Sequence, residues 1–347
     1  MQLLISRADL NHALSTIAPA IASRSSHPIL DCVHLAATGD ATLVLTGFNL
    51  DLGITIAIPA SIDSSGSVCL PYRLLSGIVG KLPDDAAISL HDGLLSAAGA
   101  SYRLATHDPA DYPDLPAVDA PEAAVDLTAG VAACMACCST DHSKAILQGI
   151  HLASGHMEAT DGHRMMRLPV PLPDGLNLVL PAATMRLLAE RCVSIAAAGG
   201  HAVINAGDGI TIYSRILDGA YPDVAKLIPE SFKHQLTVNR RALAAALDRV
   251  AIIADSHNSI VKLTAREGQL DITAETDASN GCEVLSYDGT AKGAWAFNVH
   301  YLLTGLKAFR GHYEVTINAN SATTPVVMRP TGDDDVTYLV MPVQIRS

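Results

Sequence analysis

One supersecondary unit is written three times along these 347 residues, at a period of roughly 110 to 118. ILDCVHL from Ile29, ILQGIHL from Ile146 and SIVKL from Ser259 each follow a first helix-like stretch. LPYRLLSGIV, LPAATMRLLA and FNVHYLLTGL are the second helices, and a proline starts the first two. ADYPDLP and GAYPDVAKLIP close the first two units. The period is too long for a solenoid, so each unit is expected to be a domain with its own core. The expected domains are residues 1–119, 120–236 and 237–347. Each should hold two helices and about eight strands, an α+β pattern with antiparallel sheets.

Local patterns support the unit. Leu10, Leu14, Ile17 and Ile21 recur at helical spacing. Alternating strands surround a turn at Gly39 and Asp40, and another at Glu267 and Gly268. Pro116 to Pro121 reads as a linker. VDLTAGVAACMACCSTDHSK is helix-like, with Leu127, Val131, Cys134 and Cys138 on one stripe. The seven cysteines are an odd number, which argues against a disulfide framework. Cys134, Cys137 and Cys138 lack the second pair or nearby His that a metal site needs, so they read as small hydrophobes. Apolar residues make up 49% of the chain, yet nowhere do about 18 run together, so a cytoplasmic protein is expected.

The net charge of -12 hides a segregation. The windows 7–24, 72–81, 128–144, 182–191, 239–250 and 299–311 cover the six predicted helices and their flanks. They hold twelve basic residues and four acidic ones. Glu is as good a helix former as Lys or Arg, so propensity does not explain the bias. Basic helices and acidic sheets suggest a polyanion touched by the helical surface through its phosphates, without sequence readout.

ATDGHRM, Ala159 to Met165, admits two local readings. In one, Asp161 orients His163 as a base while Arg164 holds an anion. In the other, Gly162 and Asp161 shape a tight turn whose polar side chains face water. No nucleophile motif, metal set or phosphate loop accompanies the first reading. The matching strands of the other units carry TGFNLDL from Thr46 and TAETDAS from Thr273. The DGHR version is therefore specialised.

Threefold repetition, ATDGHRM, YSRILDGAYPDVAKLIP, FNVHYLL and the terminal YLVMPVQ together resemble the β subunit of bacterial DNA polymerase III, the sliding clamp, over the whole chain. The resemblance implies the DNA clamp fold: two three-domain subunits joined head to tail in a ring, with helices lining the hole. It implies a non-catalytic processivity factor with no cofactor and no metal. Such a factor encircles duplex DNA and tethers the polymerase catalytic subunit, the clamp loader and other proteins that carry a clamp-binding motif.

The resemblance also assigns residues. A pocket for partner peptides would use Leu147, Thr160, Gly162, His163, Arg164, Met165, Pro222, Lys226, Leu227, Asn298, Tyr301, Thr323, Pro325, Leu339, Val340, Met341, Pro342 and Val343. DNA would be met by Arg24, Arg73, Asp141, Lys144, Ala145 and Ile146. Four features depart from the family pattern: Lys226 in place of the usual Arg, Asn258 where an aromatic often stands, the acid Asp141 in a DNA-contact loop, and a tail running to Ile345, Arg346 and Ser347.

Overall fold

The structure, a computed structural model, describes residues 1–23, 27–39, 41–255 and 258–344. Arg24, Asp40 and the tail from Ile345 to Ser347 lie outside them. Six α-helices stand among the described residues: α1 (Arg7–Ile17), α2 (Tyr72–Val79), α3 (Val131–Met135), α4 (Ala182–Leu188), α5 (Arg240–Ala254) and α6 (Val299–Ala308). Their starts follow the chemistry of the sequence. The Ser6 hydroxyl accepts from the Asp9 backbone N–H at 3.0 Å and donates to the Asp9 carboxylate at 2.6 Å. Asn239 and Asn298 cap α5 and α6 through their side-chain oxygens. Helices α2 and α4 begin immediately after Pro71 and Pro181.

The chain forms two compact units. Met1–Val125 and Arg191–Ile216 make the first; Asp126–Glu190 and Leu217–Ser347 make the second. In the first unit a five-stranded sheet runs in the order 61–64, 2–6, 87–91, 94–97, 100–103. An eight-stranded sheet joins four strands of the second repeat to four of the first. The joint is the antiparallel pair Ile210–Arg215 and Leu52–Pro59, with Ile210 opposite Ile56 and Ile212 opposite Ile54. Helix α1 packs on this sheet and against α2.

In the second unit a nine-stranded sheet continues from the second repeat into the third. Its joint pairs Arg164–Pro169 with Thr337–Val340, so that Arg164 faces Val340 and Met165 faces Leu339. A four-stranded sheet, ordered 280–286, 269–275, 260–266, 293–298, lies under α5. Its hairpin turns at Glu267 (φ 47) and Gly268 (φ 83), both left-handed, as a two-residue loop requires.

Two expectations are revised. Helix α3 spans only the five residues Val131–Met135; of the expected stripe, Leu127, Val131 and Cys134 are buried and Cys138, beyond the helix, is partly buried. The helical cations are also not all directed outward. Arg7, the first residue of α1, donates to the carbonyls of Val79 and Gly80 at the end of α2. Arg240, the first residue of α5, donates likewise to the carbonyl of Leu306 in the last turn of α6 and to that of His312, four residues past its end. Each arginine answers the unsatisfied carbonyls of a helix C-terminus and ties the two helices of its repeat together. Arg249 forms a two-pronged pair with Glu283, and Arg191 donates to Ala206 O. The exposed helical cations that remain include Arg73, Lys81, Arg186, Arg241, Lys307 and Arg310.

Candidate functional site

The TDGHR stretch is a turn built from its own side chains. Gly162 takes φ 93, a left-handed angle. Asp161 Oδ1 accepts from the backbone N–H groups of His163 (2.8 Å) and Arg164 (3.0 Å). Its Oδ2 pairs with Arg164 Nε at 3.0 Å. Both carboxylate oxygens are thereby engaged, and the His163 ring instead stacks on Tyr301 at 6.4 Å between centroids. An Asp-oriented histidine base is not assembled. The Thr160 hydroxyl donates to the Arg164 carbonyl at 2.7 Å and accepts from the Gly162 N–H at 3.1 Å, closing the turn from below.

Arg164 is the hub. Besides Asp161, its Nη1 donates to Thr304 Oγ1 at 2.9 Å, and its guanidinium lies 4.5 Å over the Tyr301 ring. Burial alone would lower its pKa, but Tyr338, Cys137 and Asp161 around it raise it instead. The C-terminal segment is stitched on beside it, with Met341 N–H donating to His163 O at 2.8 Å. Further on, Val343 N–H donates to Ala296 O at 2.7 Å.

An apolar floor adjoins this polar corner. Met165, Val224, Val327 and Leu339 form one buried cluster, edged by Tyr221, Ile228, Phe232 and Met341. Val340 is fully buried. From the segment that closes the second repeat, Pro222 is exposed, Leu227 is half exposed, and Lys226 reaches into solvent while pairing with Asp223 at 3.0 Å. Leu147 and Pro325 are partly buried. Asn298 is committed to capping α6, which holds Tyr301 in place. Thr323 and Val343 line a cleft of about 440 Å³ with Lys262, Trp295 and Gln344. Asn258 accepts the Ile260 N–H at 3.0 Å.

The residues assigned to DNA fall in both units. Arg73 stands exposed on α2 and donates to Ser23 O at 3.1 Å. Asp141 accepts from the Ser143 N–H and hydroxyl, which holds its pKa down and shapes the loop. Lys144 Nζ donates to Asp161 O at 3.3 Å. Ala145 and Ile146 form the short 3₁₀ turn that follows.

Three supporting residues were not singled out from sequence. Thr304 sits one turn beyond Tyr301 on α6, and that spacing was the available signal. Tyr221 accepts the Thr160 N–H at 3.0 Å. Tyr338 donates to Tyr301 O at 2.7 Å. Tyr338 packs so closely on α6 that a Cβ on Gly305 would lie 2.6 Å from its ring. Gly305→Ala is therefore expected to destabilise the protein by about 2 kcal/mol, read as a lower melting temperature.

The cysteines beneath the site are held in the thiol form. Cys134 and Cys137 are fully buried, and burial pushes the thiols of Cys137 and Cys138 up to about 12.

Residues 1–116 match the family model of the DNA polymerase III beta subunit, N-terminal domain, and residues 225–344 match that of its C-terminal domain. The beta sliding clamp of Synechococcus elongatus is 34% identical, and the alignment covers 100% of both chains. The crystal structure of the Bacillus subtilis DNA polymerase sliding clamp is similar at TM-score 0.91 and 25% identity, covering 100% of both chains. The Bartonella birtlesii clamp bound to griselimycin shares the fold at TM-score 0.92 and 24% identity, covering 99% of this chain and 100% of that one. With both terminal domain models matched and a relative aligned end to end, the chain belongs to the DNA polymerase III beta subunit family, the sliding clamps.

Proposed function

We propose that two copies of this chain join head to tail into a ring around duplex DNA. Each copy contributes three domains, residues 1–119, 120–236 and 237–347. The ring is a non-catalytic tether in the cytoplasm that holds a polymerase, its loader and other partners to DNA through short peptide motifs. Arg24, Arg73 and Lys144 are its phosphate contacts, with Asp141 shaping the loop that carries Lys144, Ala145 and Ile146.

The observation that carries this reading is the use made of the polar residues in TDGHR. Asp161 and Arg164 are consumed in holding a turn against α6, so the stretch is a wall rather than a reaction centre. An apolar floor beside fixed polar anchors suits an extended peptide bearing buried aliphatic or aromatic residues. Head-to-tail closure is favoured by two open sheet edges, Ala100–Arg103 and Asn280–Ser286.

The test is retention on DNA. Loaded protein is expected to stay on nicked circular DNA and to run off the same DNA once it is cut to a line. Equal loss from both would remove the ring. Griselimycin is the probe for the pocket, with saturable binding expected by calorimetry.

A further inference from the structure

His151, Glu158 and Arg167 stand opposite one another on three adjacent strands of the nine-stranded sheet. His151 Nδ1 meets Glu158 Oε1 at 2.8 Å, and Arg167 Nε donates to Glu158 Oε2 at 3.2 Å. The other histidine nitrogen, Nε2, meets Asn177 Oδ1 at 2.9 Å. The His151 and Glu158 side chains are only 12% and 11% exposed. Charges withdrawn from water this far cost several kcal/mol unless paired, so such a ladder needs a reason.

Its neighbour supplies one. The His151 ring stacks on Tyr221 at 4.6 Å, and the Tyr221 hydroxyl accepts the backbone N–H of Thr160 at 3.0 Å. Thr160 is the foot of the TDGHR turn. Tyr221 opens the segment carrying Pro222, Lys226 and Leu227. One tyrosine thus staples two walls of the pocket, and His151 backs it.

The first repeat is an internal control. His34 and Tyr112 occupy the matching places in ILDCVHL and ADYPDLP, and they also stack, at 5.4 Å. Tyr112 donates to Thr46 O at 3.3 Å. Opposite His34 stands Thr46, not an acid, and burial pushes the His34 pKa down. The charged ladder belongs to the repeat that carries TDGHR.

We propose that His151, Glu158 and Arg167 form a charged brace that positions Tyr221, and through it the walls of the partner-peptide pocket. The proposal rests on the pocket reading above. The titratable groups facing His151 and Tyr221 are Glu158, Cys134 and Cys138; behind them Arg167 holds Glu158, and His156 meets Arg167. Burial lowers the His151 pKa, but Glu158 and Asn177 more than offset it, so it stands above the ordinary histidine value. Doubly protonated His151 donates to both Glu158 and Asn177 below that ordinary value; as pH rises through the raised one it loses its charge and one of those two donors, while Arg167 stays on Glu158.

Griselimycin affinity is measured from about pH 6 to about pH 9 for the full chain, His151→Gln and Tyr221→Phe. The unaltered protein is expected to weaken about fivefold across the range, the worth of one hydrogen bond. His151→Gln is expected to bind about fivefold more weakly at low pH, with a flat profile. His163 is present in all three proteins, so the difference between profiles isolates His151. A His151→Gln protein with unaltered affinity and profile would overturn the brace and leave the pocket standing. No griselimycin binding by the unaltered protein would remove the pocket and the brace with it. If His151→Gln does not fold, Tyr221→Phe decides: a loss of about fivefold supports the staple, and undiminished binding overturns it.

Discussion

Val284→Arg is expected to run as a monomer on gel filtration and to leave nicked circular DNA as fast as it leaves a line. Val284 is 54% exposed on Asn280–Ser286, an edge strand of the four-stranded sheet, and Ile252 is 76% exposed on α5, which packs against that strand. The pair Arg249–Glu283 pins helix to strand through two bonds of 2.7 Å. A regular, fixed edge with exposed apolar side chains beside it invites another chain unless something covers it. In the proposed ring that cover is the Ala100–Arg103 edge of a second copy, where Tyr102 is also exposed. An arginine buried there would have no partner, and an unpaired buried charge costs several kcal/mol. Val284→Ala, which removes only methyl groups, is the control. A Val284→Arg protein that stays dimeric and keeps its grip on the circle would place the interface elsewhere.

Arg164→Ala should weaken griselimycin about a hundredfold and lower stability by about 3 kcal/mol, measured by calorimetry and urea melts. The side chain is 17% exposed and the Asp161 carboxylate 14%, so removal strands a mostly buried acid with only backbone donors. It also frees Thr304 and uncovers Tyr301, loosening α6 from the turn. Arg164→Lys restores the charge but not the planar fork or the stacking, and should recover only part of the loss. His163→Ala, at an exposed position, should weaken the probe while leaving the melt and circle retention unchanged. Full griselimycin affinity in Arg164→Ala would remove this corner from the binding surface.

Much of the fold was legible because its signals are local. Proline-started helices, the Glu267–Gly268 turn and the buried stripe at Leu127, Val131 and Cys134 each depend on neighbours within a few residues. The turn at Asp161 was legible for the same reason. What the sequence withheld were partnerships across long separations. Nothing in VDLTAGVAACMACCSTDHSK announces that only Val131–Met135 closes into a helix. Nor does Arg7 differ, as a letter, from Arg73, yet one is drawn in to carbonyls 72 and 73 residues away and the other stays exposed while it donates to Ser23 O. Counting charge by element therefore overstated the free basic surface. Lys226 and Asn258, expected from the resemblance to be departures, find local partners in Asp223 and the Ile260 amide. Tyr221 and Thr304 were missed because their importance lies in which backbone group and which guanidinium they meet.

The pairing of Arg164 with Val340 has a mechanical meaning. Arg164 begins the strand by which the second repeat is hydrogen-bonded to the third, so the turn hangs from the end of a weld and not from a free loop. Suppose a partner grips that turn and pulls along the strand. The ladder from Arg164 to Arg167 would then be strained in shear, all its bonds sharing the force at once, whereas peeling would break them one by one.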